Sequence, residues 1–148
     1  MNGKIEFKKA TNLDSELLFE WRNDPITIQN SITQRGVEKN EHERWFYNAQ
    51  QNGDIKIYIA FIGDAPIGMV RFDKKEFNSA ELSWNISPKF RGKGFGKKVV
   101  ILATDLFKGR LEAKVLIANV ASFKIAVDAG FKEKNRDDLI IYFEKDSS

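Results

Sequence analysis

The side chains best suited to chemistry gather at one point of this 148-residue chain. Arg91-Gly92-Lys93-Gly94-Phe95-Gly96-Lys97-Lys98 interleaves glycines with four cations. A glycine-rich turn that opens a helix presents backbone N–H groups at the helix's positive end, and the added Arg and Lys charges suit a di- or polyphosphate. The plainer alternative is a structural turn joining a strand to a helix. His42 is the one histidine, and its intrinsic pKa suits a base near neutrality. It falls between Glu41 and Glu43 in the first turn of an expected helix, where an exposed surface histidine is an equal reading.

Composition narrows the chemistry. The chain has no cysteine, which excludes disulfides, thiolate nucleophiles and Cys-based zinc sites. A single histidine excludes a multi-His metal site, so no metal is expected. The net charge of +3 is mild, and the cations are densest at 89–98. That pattern fits a local anion site better than a nucleic-acid track. No apolar run approaches the roughly 18 residues of a membrane span, and Met1–Lys9 lacks the apolar core of a signal peptide. The expectation is a cytoplasmic protein with neither membrane nor nucleic-acid partner. The length predicts one domain over 1–148.

The elements that must position these groups read from periodicity. Ile5 and Phe7 alternate with polar residues in a first strand. Asn12 or Asp14 can cap a helix carrying Leu13, Leu17, Leu18 and Trp21, which ends before Pro25. Thr27–Lys39 reads as loop or a short helix. Asn40 and Glu43 resemble a capping box opening a helix with Trp45, Phe46 and Ala49. Three strands follow: Ile55–Phe61, Ile67–Lys75 and Ala80–Ile86. The glycine turn then leads into a helix to about Lys108, stopped by Gly109. A strand over Ala113–Ile117 precedes a helix from Asn119 to Ala129, and Phe131–Lys134 and Leu139–Glu144 close the chain. The expected fold is α/β (α+β): a central, mostly antiparallel sheet of six to seven strands with about four helices, in the order β-α-α-β-β-β-α-β-α-β-β.

The turn is not a Walker loop, because no glycine stands five residues before a Gly-Lys-Ser/Thr. It is a poor dinucleotide fingerprint too, one residue short of G-x-G-x-x-G and preceded by an antiparallel meander. Arg91-x-x-Gly94-x-Gly96 instead resembles the Q/R-x-x-G-x-G/A pyrophosphate loop of the GNAT (Gcn5-related N-acetyltransferase) family. Asn119-Val120-Ala121-Ser122, followed by Gly130-Phe131, resembles that family's N-x-x-S/A…G-F segment. The element order is similar over essentially the whole chain.

The resemblance implies acetyl-CoA as co-substrate. In this fold the fourth and fifth strands splay apart, leaving backbone near Trp84 and Ile86 free to bond a pantetheine arm. The pyrophosphate would rest on the N–H groups from Gly92 to Lys97, Phe95 among them, with Arg91, Lys93 and Lys97 adding charge. Asn119 and Ser122 would contact the cofactor from the other side; a helix cap and a solvated first-turn residue are equal readings. Glu81, near the acceptor side of this fold, becomes the first candidate base and His42 the second, with a cross-strand pair to Arg71 or Lys74 as Glu81's alternative. The family's tyrosine acid, seven residues after the motif asparagine, is replaced by Ala126. Tyr58, Tyr47, Tyr142 or water remain open for that role.

The acceptor is read from Trp21-Arg22-Asn23-Asp24-Pro25 and Glu41-His42-x-x-Trp45-Phe46. These segments resemble bacterial acetyltransferases of nucleotide-linked amino sugars, including those of the pseudaminic acid pathway. Trp21, Arg22, Asn23 and Trp45 are the implied substrate-binding residues, with core packing as the alternative for Trp21. Rival expectations are a protein N-terminus, lysine, polyamine or antibiotic as acceptor, or a non-catalytic CoA-binding domain. A homodimer is left open.

Overall fold

The computed structural model describes residues 3–147. Seven strands form one sheet: β1 (Ile5–Lys9), β2 (Ile55–Ile62), β3 (Ala65–Lys74), β4 (Ser79–Ile86), β5 (Gly109–Leu116), β6 (Lys132–Arg136) and β7 (Ile140–Ser147). Their spatial order is β1-β2-β3-β4-β5-β7-β6. Every neighbouring pair is antiparallel except β4 with β5. Five helices accompany it: α1 (Ser15–Arg22), α2 (Pro25–Asn30), α3 (Lys39–Gln51), α4 (Phe95–Thr104) and α5 (Val120–Asp128). Among the described residues no helix is long and apolar enough to cross a membrane.

Strand alternation splits the core in two. Ile57 and Ile59 of β2 face α1 and α3, where they meet Leu18, Trp21, Phe46 and Ala49. Ala60 and Ile62 belong to the other side, with Val99, Val100 and Ala103 of α4 and Ala126 of α5. Burying an aliphatic side chain of this size contributes about 1.5–3 kcal/mol. The two layers hold the helices on opposite faces and leave the middle of the sheet as the place where they can be brought to one site.

Several local expectations give way to tertiary packing. The first helix is approached through a 3-10 turn capped by Thr11, whose N–H bonds the Asp14 carboxylate at 2.8 Å, and Leu13 is 94% exposed, off the core face. Asn40 does not cap α3. The N-cap is Glu38, two residues earlier and extended, because burial of His42, Phe46 and Ala49 on one stripe sets the helix frame. Pro25 both follows the end of α1 and starts α2, with Asp24 as its N-cap. The helix after the glycine turn stops at Thr104, whose hydroxyl bonds back to the Ile101 carbonyl at 2.7 Å. Phe107 leaves it to stack on Phe72. Gly109 is therefore no helix stop but the first residue of β5. Its φ of +134° and the Asn78 carbonyl oxygen, 2.2 Å from where a Cβ would stand, require glycine.

The parallel contact between β4 and β5 is brief. Ser79, Ala80 and Glu81 pair with Arg110, Leu111 and Glu112, and then the strands part. Ser87 N–H bonds the Ile67 carbonyl of β3. By alternation the Leu82 carbonyl and the main-chain groups of Trp84 and Ile86 then point the other way, into the gap, while the Leu82 N–H makes the last bond to β5 at Glu112.

Candidate functional site

The gap opens into a cleft of about 720 Å³. One wall is Leu82–Ile86 of β4, and the opposite wall is Lys114–Leu116 of β5 with Asn119, Ser122 and Ile125 at the start of α5. A third wall comes from α1, α2 and α3: Trp21, Arg22, Ile26, Thr27, Glu41, His42 and Trp45. Elements from both faces of the sheet line it together.

The glycine loop closes one end. Gly92 and Gly94 have φ of +73° and +83°, and nothing lies within 4 Å of where a Cβ on either would stand. Gly94 is the left-handed N-cap of α4. Among the described residues no hydrogen-bond partner is present for the N–H groups of Gly92 to Lys97. Open space above unpartnered N–H groups at a helix start is what a diphosphate needs. Gly96 serves packing instead: a Cβ there would stand 2.6 Å from Ile125 Cδ1, so the absent side chain lets α4 close on α5. Lys93 and Lys97 are exposed beside the cradle, and Lys93 also lies over the Phe90 ring.

Arg91 has different partners from those expected. Its Nη1 donates to Asp24 Oδ2 at 2.5 Å, its Nη2 to Thr27 Oγ1 at 2.9 Å and Asn85 Oδ1 at 3.2 Å, and its Nε to the Ile86 carbonyl at 3.0 Å. The guanidinium faces α2 and the end of β4 rather than the diphosphate cradle. The Ile86 carbonyl is thereby occupied, while the Leu82 carbonyl and the main-chain groups of Trp84 stay free of β5 and open to an extended guest. Burial works to raise the Asp24 carboxyl, but the bond from Arg91, the Thr27 N–H and the Arg91 charge outweigh it and hold the group below its ordinary range.

Across the gap, Trp84 Nε1 donates to Ser122 Oγ at 3.3 Å. Asn119 caps α5, its side chain accepting from Ser122 N–H at 3.1 Å. Ala126, one turn beyond Ser122, is wholly buried in the α4–α5 core. Tyr58 packs edge-on to Phe72, Tyr47 is exposed, and Tyr142 bonds Asp137. None of the three tyrosines is among the residues lining the cleft.

His42 is 4% exposed and sits against Phe19, Trp45 and Phe46. Burial lowers its pKa, the Arg22 charge lowers it further, and Glu43 opposes them only in part. The ring is therefore neutral at neutral pH and able to take a proton. Its Nδ1 is buried with no partner among the described residues, and so is Arg22 Nη1. Burial also lowers the Arg22 pKa, against the pull of Glu41. Trp45 has the Arg71 guanidinium 4.8 Å over its ring, and Asp73 fixes that guanidinium through two 2.6 Å bonds.

The remaining expected residues sort by position. Trp21 is 5% exposed and belongs to the α1–α3 core, while its carbonyl accepts from Asn85. Asn23 is not among the cleft-lining residues; its amide is spent on Val37, which is, bonding that residue's N–H and carbonyl at 2.7 and 2.9 Å. Glu81 lies where β4 and β5 still pair, not among the cleft-lining residues. It sits opposite Asp73 and between Lys75 and Lys114, at 3.5 and 3.4 Å, instead of pairing with Arg71 or Lys74. Asp24 stands in the Trp21–Pro25 segment read as acceptor-side, but its bond to Arg91, and the parts played by Thr27 and Asn85, carry no signal of their own in the sequence. The Asp-Pro pair, an N-cap followed by a proline at the first helical position, was the available signal for the cap.

Comparison with known proteins agrees with this geometry. A family model described as an acetyltransferase (GNAT) domain matches residues 4–132. The acetyltransferase PseH of Campylobacter jejuni is 29% identical over 93 residues, 61% of this chain and 59% of that one. The chain thus spans about three-fifths of that relative's length. A domain from Methanocaldococcus jannaschii superposes with a TM-score of 0.85 at 22% identity, covering 98% of this chain and 99% of the other. The Vibrio cholerae spermidine N-acetyltransferase, solved with CoA and spermine, gives 0.84 at 16% identity over 97% and 95%. The splayed β4–β5 pair, the open glycine loop and the match over 4–132 lead to one assignment: the chain belongs to the GNAT acetyltransferase family.

Proposed function

We propose that the chain is an acetyl-CoA-dependent N-acetyltransferase whose acceptor is the amino group of a nucleotide-linked amino-dideoxy sugar. The donor fits the residues present. The N–H groups of Gly92–Lys97 and the ammonium groups of Lys93 and Lys97 would hold the diphosphate, and the Trp84 main chain, with the Leu82 carbonyl, would bond the pantetheine amides. Acetyl-CoA supplies a thioester already activated for attack.

The observation that carries the acceptor is the charge of the cleft. Arg22, Arg71, Arg91 and Lys114 line the cleft against a single carboxylate, Glu41. Arg71, Arg91 and Lys114 have carboxylate partners, whereas Arg22 Nη1 is buried without one. A polyamine or aminoglycoside would bring further cations to a half-buried, unpaired guanidinium. A nucleotide diphosphate would supply the missing oxygen acceptors. Trp45, steadied by Arg71, offers an aromatic face for a base or the apolar face of a deoxysugar. The resemblance of Trp21–Pro25 and Glu41–Phe46 to nucleotide-amino-sugar enzymes, and the likeness to PseH, support the same reading.

The chemistry then divides among residues of the cleft. The amine forms a C–N bond to the acetyl carbon as the C–S bond breaks. His42, neutral and with Nδ1 unpartnered, takes the proton that nitrogen sheds. Ser122 accepts the Trp84 indole N–H, which leaves its own hydroxyl proton to bond the departing sulfur; the thiolate is then protonated from water. A thiol-release assay with acetyl-CoA across UDP-linked amino sugars, peptides with free N-termini, polyamines and aminoglycosides tests the proposal. Turnover is expected with the UDP-linked sugars. Turnover with spermidine and none with the sugars overturns the acceptor, and CoA binding without thiol release from any amine overturns the enzyme.

A further inference from the structure

Arg91 stands at the start of the donor loop, yet all of its bonded partners belong to β4 and α2. Its fork serves four acceptors at once: the Ile86 carbonyl, Asn85 Oδ1, Thr27 Oγ1 and Asp24 Oδ2. These same groups fix the acceptor wall. Asp24 caps α2 through Thr27 N–H at 3.1 Å, and Asn85 Nδ2 donates to the Trp21 carbonyl at the end of α1 at 3.3 Å. Ile26 and Thr27 of α2, with Ile32 just beyond it, line the cleft. α2 has six residues and no buried side chain. A helix so short has little stability of its own and takes its order from what holds its ends. On the donor-loop side, its hold is Arg91.

We propose that Arg91 is a positioning residue that joins the donor loop to the acceptor wall, so that filling the diphosphate cradle orders α2. A ligand that restrains Gly92–Lys97 restrains the Arg91 backbone next to it. That narrows the positions of the guanidinium and, through Asp24 and Thr27, of the first turn of α2. The coupling is reciprocal by linkage: an acceptor that orders α2 tightens the loop on its donor. Lysine could not replace Arg91, because an ammonium cannot reach four acceptors set in a planar fork.

The inference rests on the reading that the loop binds coenzyme A, and amide hydrogen exchange on the full chain with saturating CoA separates the two. In the wild-type chain CoA should slow exchange at 92–98, and also at Ile28–Ser31, where the Ile28 and Ser31 N–H groups bond Asp24 and Ile28 carbonyls. A slowing of about tenfold in α2 is within the usual range of a coupling free energy. Two substitutions made together cut the join without uncapping the helix. Asp24→Asn keeps an N-cap and loses the charge pair, and Thr27→Val keeps the volume and loses the Oγ1 acceptor. In the double variant CoA should still protect 92–98, while its effect on Ile28–Ser31 disappears; each single variant should weaken it. A purely structural network would raise α2 exchange equally with and without CoA, and that outcome overturns the proposal. So does protection of 92–98 in the wild type with no change in α2, or α2 protection that survives both substitutions. Absence of protection at 92–98 removes the donor reading and this proposal together.

Discussion

Arg22 and His42 share one wall of the cleft, and burial together with the Arg22 charge keeps the His42 imidazole below its ordinary pKa. An arginine beside a histidine is costly unless something is gained from a neutral ring and an unbonded guanidinium in the same place. A base and an anion site side by side would use both.

A pH dependence follows from His42. Its folded pKa lies below the unfolded value of 6.5, so the unfolded chain binds more protons between the two values. The stability due to neutral His42 is complete above pH 6.5 and is lost as the pH falls below it. The acid limb of kcat/KM should lie in the same window. His42→Gln should remove both slopes and lower kcat by about 10²-fold or more, the usual contribution of a positioned base. Denaturant melts and pH–rate profiles of the two proteins check this; an unchanged acid limb excludes His42 as the base.

Arg22→Met separates binding from stability. Removing a guanidinium whose Nη1 is buried and unpartnered relieves a desolvation cost, so Tm should stay level or rise. With an anionic acceptor kcat/KM should fall about 10²-fold, the worth of a charge-assisted bond of about 3 kcal/mol. CoA affinity should not move. A clear loss of Tm with unchanged kinetics would make Arg22 a structural residue.

Gly94 is the sharpest probe of the donor. At φ +83° any L residue is strained by about 1–2 kcal/mol, a loss a folded chain of this size can absorb. The space above the glycine is open, so Gly94→Trp should fill the cradle and abolish CoA binding in calorimetry while the far-UV spectrum stays native. Affinity equal to wild type would show that the loop only joins β4 to α4.

Glu81 tests the opposite expectation. Between Lys75 and Lys114, outside the cleft lining, it has the surroundings of a half-exposed ion pair, worth about 1 kcal/mol or less. Glu81→Gln should leave turnover within about threefold, as for a surface substitution remote from the chemistry. A kcat loss of two orders of magnitude, with CoA affinity kept, would return Glu81 to the role of base.

What the sequence made visible was contiguous. Gly92, Gly94 and Gly96 stand with their cations in one run, and the alternation of Ile57, Tyr58, Ile59 and Ala60 states which side of β2 meets which helices. What stayed hidden depends on distant partners. Asp24 and Arg91 are 67 residues apart, and no local pattern shows that they touch. Asn40 and Glu43 carry a helix-start signature that the fold overrides, because burying His42 and Phe46 outweighs one capping bond. Glu81 alternates as expected, but which end of the splayed pair it occupies is a matter of register, and that is set by the whole sheet.

The parting of β4 from β5 leaves the sheet with a third edge, located inside it. The two outer edges are guarded: β1 ends in Lys8 and Lys9, and β6 carries Lys132, Lys134 and Arg136. Charges of this kind keep a second sheet from adding on. The inner edge has apolar and aromatic neighbours, Leu82, Trp84 and Ile86, and relies on access instead. Helices on both faces shut out another protein's strand, while a thin chain with its own amide groups can slide between. The fold thereby exposes bonding backbone to a small molecule without offering it to other copies of itself.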